Sequence, residues 1–435
     1  MAESRPNAAL LLVGLVLLVV GLVFGALVRR YGIGLLLTPS SRRLTLSVEQ
    51  HRTVLETHRF LLIGGSHRGG TTIFWRLLAA HPSISGFAES GLETDFAEGA
   101  FLQTVLPTFG VGAELMGAVR RRDAGLGRYA FSPSAHMTER HALNTAASSL
   151  KLVSEWGFHW NLSKPVLLEK TPTDMLTSRL LQALLTPADV TFIFVTRHPL
   201  AVSLAHQRWR CCAGMGVPSL ALHWLVSHRV LAGDMPRLRS ARVLRYEDLA
   251  RRPLACVRRV FGWLGLSSSK AVDAAVATVS PDANRKYESQ YCREHLRERQ
   301  QLDEHCAMGG ALQPSVLALG LGYDLMVGNA LGFSCIGRRL AASEHIRAHG
   351  DGGGANRSVA RPGGACGGIP TDSRLLQALR AHEAMVLRAD APADGAAARP
   401  LALAGLGGAP ARRRRGARGV DRDAESRPPR AGICA

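Results

Sequence analysis

The chain has 435 residues, 46% hydrophobic and 20% charged, which is enough apolar material for a large core and too much for a chain disordered throughout. Lys and Arg total 53 against 34 Asp and Glu, a formal charge of +19 that points to anionic partners without choosing among phosphates, sulfates, acidic glycans, nucleic acid or a lipid surface. Only five of those cations are lysines, at 151, 164, 170, 270 and 286, and so strong a bias toward Arg follows base composition as much as selection for binding, so the charge is discounted.

Residues 1–7 read as a short tail, and residues 8–28 are uncharged and dominated by Leu and Val. At about 1.5 Å rise per residue this segment reaches across a hydrocarbon layer of ~30 Å. It exceeds a secretory apolar region of about 7–15 residues, so the expectation is an uncleaved transmembrane signal anchor with the bulk of the chain in the lumen. A signal cleaved near Gly25 is one alternative. The inverted topology is the other, because Arg29, Arg30, Arg42 and Arg43 follow the span while Arg5 precedes it. Residues 29–57 are then a stem.

The pattern between about His58 and Asp324 alternates strand-like apolar runs with longer helical stretches, the signature of an α/β domain with a mainly parallel sheet flanked by helices; its bounds are set at 58–330. The strand Arg59 to Gly64 runs into Gly65-Ser-His-Arg-Gly-Gly-Thr-Thr72 and then an amphipathic helix from Ile73 to about Ala80. Strand, Gly-rich turn and helix start aim backbone N–H groups at an anion. A nucleotide triphosphatase loop needs a Lys before its Ser or Thr, and that position falls on Gly70 or Thr71 in either register. The next strong strand, Asp189 to Thr196, ends in Arg197 rather than in a metal-holding Asp. A helix start, Arg68, two hydroxyls and a second Arg at a neighbouring strand end fit a nucleotide with two separate phosphate groups and no metal, a description that suits 3′-phosphoadenosine-5′-phosphosulfate (PAPS).

In this order the motifs resemble the membrane-associated, Golgi-type sulfotransferases over roughly residues 58–324. The loop at 65–72 is similar to that family's 5′-phosphosulfate loop, commonly Pro-Arg-Ser-Gly-Thr-Thr: Arg68, Gly70, Thr71 and Thr72 match, and Gly69 replaces the Ser. His81-Pro-Ser-Ile-Ser-Gly86 follows, and Glu89 matches the carboxylate that acts as base in tyrosyl-protein and heparan sulfate sulfotransferases. Glu169-Lys170-Thr171-Pro172 resembles the motif whose Lys faces the reacting centre, Arg197-His-Pro199 the start of the 3′-phosphate segment, and Arg245-Tyr-Glu-Asp-Leu249 and Gly322-Tyr-Asp324 later landmarks. Where the family usually has a Ser eight residues after that Arg stands Ala205, so Ser203 or backbone N–H groups substitute.

The resemblance implies a P-loop-like parallel sheet of sulfotransferase fold and sulfuryl transfer from PAPS, without a metal, to a hydroxyl of a glycan or protein tyrosine at the Golgi membrane. Glu89, Lys170 and Arg68 are the expected catalytic residues. Arg68, Gly69, Gly70, Thr71, Thr72, Arg197 and Ser203 bind the donor, helped by Arg285 or Lys286. Tyr246 and Glu247 read as structural, and His67, His81 and His198 as positioning residues. Expected partners are a glycan or acidic peptide acceptor, attracted by the run Arg120 to Arg122 within an acceptor region at about 91–150, and the membrane through residues 8–28, but not nucleic acid. A P-loop kinase or NTPase and a catalytically inactive lumenal binding protein of the same fold are the rival readings.

Sequons at Asn161 and Asn356 point mildly to the lumen. Of eight cysteines, Cys292 and Cys306 could close a short loop in an oxidising compartment, the alternative being that most of the eight are buried thiols; with His295 and His305 they suggest a zinc site only superficially. Residues 331–435 shift to Gly, Ala, Pro and Arg and read as mostly disordered, with one isolated helix at 372–388 and an Arg412 to Arg415 cluster that reads as a solvated charge run.

Overall fold

The computed structural model describes residues 45–87, 98–108, 125–209, 212–282, 284–326, 333, 335–336, 338 and 371–389. The expected span at 8–28, Glu89, Arg120 to Arg122, Asn356 and Arg412 to Arg415 lie outside them. Among the described residues no helix is long and apolar enough to cross a membrane.

Five parallel strands form one sheet: β1 (Arg59–Gly65), β2 (Ile84–Ser85), β3 (Val166–Lys170), β4 (Asp189–Thr196) and β5 (Ala241–Arg245), in spatial order β2-β3-β1-β4-β5. The central strands are apolar runs because both faces are covered; in β1 Leu61, Leu62 and Ile63 are wholly buried, as are Phe192, Ile193 and Val195 in β4. Helix α1 (Val48–Thr57) leads in with a Ser47–Gln50 capping box, and α2 (Thr71–Ala79) follows β1. α3 (Ala146–Gly157) precedes β3, α4 (Asp174–Leu184) joins β3 to β4, and α5 (Pro199–Gln207) and α6 (Val217–Asp234) lead to β5. Then come α7 (Tyr246–Arg251), α8 (Pro253–Trp263), α9 (Lys270–Val276), α10 (Arg285–Gln290), α11 (Arg299–Ala318) and α12 (Ser373–Ala389).

This topology fixes where a ligand can sit. The chain moves from β1 to β2 and β3 on one side and then crosses to β4 on the other, so the connections after β1 and β4 diverge at the C-terminal edge of the sheet, where a crevice opens. Register puts Ile63 beside both Lys170 and Ile193, and Gly65 beside Val195, so the loop after β1, Lys170 and Arg197 share that edge.

Two expectations change. The tail helix is present as α12, yet it is docked rather than isolated: Leu375 and Leu379 are buried, Asp372 N donates to Ala307 O at 3.1 Å, and the His382 ring stacks on Phe131 at 4.7 Å. Its apolar stripe needs a partner to be stable, and α6 and α11 provide one. Cys292 is disulfide-bonded to Cys335, with Cα atoms 6.4 Å apart, and not to Cys306. Cys256 and Cys306 are disulfide-bonded as well. His305 Nδ1 pairs with Tyr291 Oη at 2.7 Å, an aromatic packing role rather than metal ligation.

Candidate active site

The loop between β1 and α2 is shaped by its glycines. Gly69 N donates to Ser66 O at 2.8 Å to make a tight turn, Arg68 holds a left-handed φ of 62°, and Gly70 at φ 101° starts α2 without a side-chain cap. A Cβ on Gly70 would fall within 2.6 Å of Tyr246 Cε2 and still closer to Cδ2, so only glycine lets the loop lie against that ring. The first-turn N–H groups of α2, with Thr71 and Thr72, face a cavity of about 630 Å³. Its wall includes His67, Arg68, Gly70, Thr71, Thr72 and Arg197.

Arg197, at the end of β4, is buried in a cage. Its Nε donates to Asn284 Oδ1 at 2.8 Å and its Nη1 to Arg68 O at 3.3 Å, and the guanidinium lies 4.4 Å from the Tyr246 ring centre and 5.0 Å from that of Tyr287. Glu247 fixes the cage from behind: its carboxylate accepts from His198 N at 2.9 Å, Asn284 Nδ2 at 2.8 Å and Tyr323 Oη at 2.8 Å. Glu247 is structural, as its sequence context implied, whereas Tyr246 lines the cavity itself. Across the mouth Arg68 lies 4.8 Å from the Trp209 ring centre.

Lys170 ends β3 wholly buried, its Nζ 2.7 Å from Glu98 Oε1. Glu98 lines the cavity and is held there by its neighbours. Gly99 N donates to Glu169 Oε1 at 3.0 Å, Ala100 N to Thr171 Oγ1 at 2.9 Å, and Trp156 Nε1 to Gly99 O at 3.0 Å. The Glu-Lys-Thr-Pro motif thus docks the 98–101 turn. Glu169 is completely buried and its carboxyl hydrogen-bonds that of Asp174; burial first, then the neighbouring Glu169, push Asp174 well above the ordinary carboxylate range, so the pair keeps a proton. His67 is pushed well below the ordinary imidazole range by burial first and then by its neighbours His206, Lys170 and Arg68, with Nδ1 3.2 Å from Tyr129 Oη.

The structure therefore gathers Arg68, Gly70, Thr71, Thr72 and Arg197 around one cavity, with Lys170 reaching it through Glu98, and Gly69 shaping the loop. Three expected donor contacts are not brought there. Ser203 is buried within α5 and its hydroxyl donates to Pro199 O at 2.8 Å, one turn back along its own helix. Arg285 is exposed and faces Asp282 at 3.8 Å, and Lys286 is exposed with its Nζ 5.0 Å from the Tyr287 ring centre. Their segment acts through Asn284 and Tyr287 instead. Sequence reading missed Asn284, Tyr287, Trp209 and Glu98 as site residues; an Asn and a Tyr flanking an Arg-Lys pair were the available signal.

Residues 61–270 match the family model described as "Sulfotransferase family". No curated protein matches the chain. Similar solved structures include the sulfotransferase domain of the Synechococcus olefin synthase, 20% identical over 53% of this chain and 88% of that one, with a TM-score of 0.33. A sulfotransferase from Mycobacterium tuberculosis is 16% identical over 56% and 79%, TM-score 0.35. The sulfotransferase domain from the curacin biosynthetic pathway is 16% identical over 52% and 84%, TM-score 0.30.

Proposed function

We propose that this sulfotransferase-family protein transfers the sulfuryl group of PAPS to a hydroxyl acceptor in the secretory pathway, held at the Golgi membrane by residues 8–28 as a Golgi-type enzyme. The observation that carries the reading is the joining of Arg197 Nη1 to Arg68 O at 3.3 Å beside an uncapped helix start, two guanidinium groups on one cavity wall. Gly70 lets the loop lie against the Tyr246 ring, and the helix start it forms carries no side-chain cap, which leaves its N–H groups available to an anion.

Bound PAPS would supply the sulfuryl group and leave as the 3′,5′-bisphosphate. Thr71, Thr72 and the first N–H groups of α2 bind the 5′ end, and Arg68 offsets charge that spreads over the transferring group. Arg197 takes the 3′-phosphate; its planar fork is pre-organised by Asn284 and by the Tyr246 and Tyr287 rings, which keeps the ordering cost low. Lys170, paired with Glu98 behind the cavity wall, is assigned its role at the leaving oxygen on the motif resemblance. Proton acceptance is assigned to Glu89 on the motif resemblance.

Radiolabelled PAPS incubated with the purified protein and a panel of hydroxyl acceptors tests the reading. Label should transfer, and Arg68→Ala and Lys170→Ala should each lower kcat at least tenfold. Metal-dependent ATP turnover with no sulfuryl transfer would replace it with the kinase reading, and PAPS binding without transfer with that of an inactive binding protein.

A further inference from the structure

Among the described residues Arg68 is the one non-glycine with a positive φ, at 62°. A side chain in that region is strained, and the conformation persists only where its surroundings over-determine it. Whatever holds this backbone also holds the donor site, a link that rests on the sulfotransferase reading. Two holds lie within the loop and its wall: Gly69 N closes the turn onto Ser66 O at 2.8 Å, and Arg197 Nη1 donates to Arg68 O at 3.3 Å. The third is the side chain next along the chain. His67 Nδ1 pairs with Tyr129 Oη at 3.2 Å, and the imidazole stands edge-on to three rings, with centroids 5.5 Å away at Tyr129, 6.5 Å at His206 and 6.3 Å at Trp209. His67 thus anchors the backbone on one side of Arg68 while Gly69 anchors it on the other.

Tyr129 is in turn held from outside the site. It opens a short 3₁₀ turn, Tyr129–Phe131, and is wholly buried, its ring 4.6 Å from that of His223 on α6 and nearly perpendicular to it. Phe131, at the other end of the turn, meets the His223 ring at 5.6 Å on one side. On another, His382 of α12 stacks on it at 4.7 Å with 23° between the planes. Three residues therefore tie the donor loop to the tail helix. α12 is docked firmly enough to serve as an anchor: Leu375 and Leu379 are buried, and Gly310 on α11 makes room for Thr371, whose Oγ1 would lie 2.8 Å from a Cβ at that position. Close-packed side chains transmit a displacement rather than absorb it, so a shift of Phe131 reaches Tyr129 and then His67.

We propose that α12 is a working part of the donor site: His382, acting through Phe131 and Tyr129, is a positioning residue that keeps His67 and the left-handed Arg68 in the anion-binding conformation.

The test is calorimetric titration of 3′-phosphoadenosine-5′-phosphate (PAP) into the full-length chain in mild detergent, with urea unfolding to show that each variant is folded. The wild type should bind PAP. His382→Ala removes one aromatic pair and should weaken PAP by about three- to tenfold, whereas His382→Phe restores a ring face and should return affinity to within about 1.5-fold of the wild type. His382→Leu, which keeps the bulk and drops the ring, should behave as His382→Ala does and covers the case in which the alanine variant does not fold. Tyr129→Phe removes only the hydroxyl that pairs with His67 and should weaken PAP by about two- to tenfold. In the double variant His382→Ala/Tyr129→Phe the two losses should not multiply, because both break the same link. Wild-type affinity in the folded His382 variants, no rescue by His382→Phe, or losses that multiply would overturn the inference, while PAP binding by the wild type kept the sulfotransferase reading standing. Absence of PAP binding by the wild type would sink that reading and the inference with it.

Discussion

Replacing Gly70 by Ala tests the geometry of the donor loop more sharply than removing any charge. Gly70 has φ 101°, where an L side chain is strained, a cost of about 1–3 kcal/mol. The new methyl would also lie within 2.6 Å of Tyr246 Cε2 and still closer to Cδ2, so the ring must retreat by more than about 1 Å to reach ordinary contact, and overpacking of this kind adds about 1–3 kcal/mol. The sum is about 2–6 kcal/mol of destabilisation. The ring cannot retreat alone, because it forms one wall of the Arg197 cage at 4.4 Å. Gly70→Ala should therefore weaken PAP binding even in molecules that remain folded. Urea unfolding reads the stability and calorimetric titration the affinity. Gly233→Ala, in the last turn of α6, is the control: its Cβ would meet nothing within 4 Å, and it should leave stability unchanged or slightly raised. If Gly70→Ala changed stability by less than about 0.5 kcal/mol and affinity by less than about twofold, the argument from packing of the loop on the Tyr246 ring would be wrong.

Further outcomes follow from other groups. His198, His206, His228 and His305 are lowered to about 4, by burial first in each case; unfolded imidazoles take up protons below about 6.5, so the unfolded state binds more protons between those values and stability should fall as pH drops from 6.5 toward 4. Each buried ring contributes up to about 2 kcal/mol by pH 5, readable in urea titrations across pH. The Glu169–Asp174 pair acts in the opposite direction: the folded state keeps a proton the unfolded chain releases, so its contribution falls as pH rises above the ordinary carboxylate range. Asp174→Asn should flatten that limb, which has a slope of up to about 1.4 kcal/mol per pH unit. Cys292→Ser opens the bond to Cys335 across a sequence separation of 43 and should cost about 4 kcal/mol in urea unfolding under oxidising conditions.

The sheet was legible because its central strands are covered on both faces and so read as continuous apolar runs, as at Phe60 to Ile63 and Phe192 to Val195. Arg68, Thr71, Thr72 and Arg197 were legible because strand ends of a parallel sheet converge, so residues far apart in sequence share an edge whenever each ends a strand. What no strand end announces stayed hidden. Asn284 and Tyr287 reach Arg197 from beyond β5, and the charged Arg285 and Lys286 between them drew the assignment although they point to solvent. Ser203 was chosen by sequence distance, but a hydroxyl inside a helix finds its own backbone carbonyl first. Glu98 could not be distinguished from its acidic neighbours because its place depends on Gly99 docking against Glu169, a packing relation across 70 positions. Cys292 found Cys335 for a similar reason: α10 and the segment after α11 meet in space, while the nearer Cys306 lies on α11 itself.

The most direct measurement is PAP binding to the wild-type protein and to Arg197→Ala, with ATP plus Mg²⁺ as comparator, by thermal shift and calorimetric titration. Loss of a charge-assisted contact worth about 1.5–3 kcal/mol should weaken PAP by about 10- to 100-fold, with ATP and metal giving the smaller stabilisation of the wild type. Equal PAP affinity in the two proteins, or a preference for ATP with metal, would contradict the account.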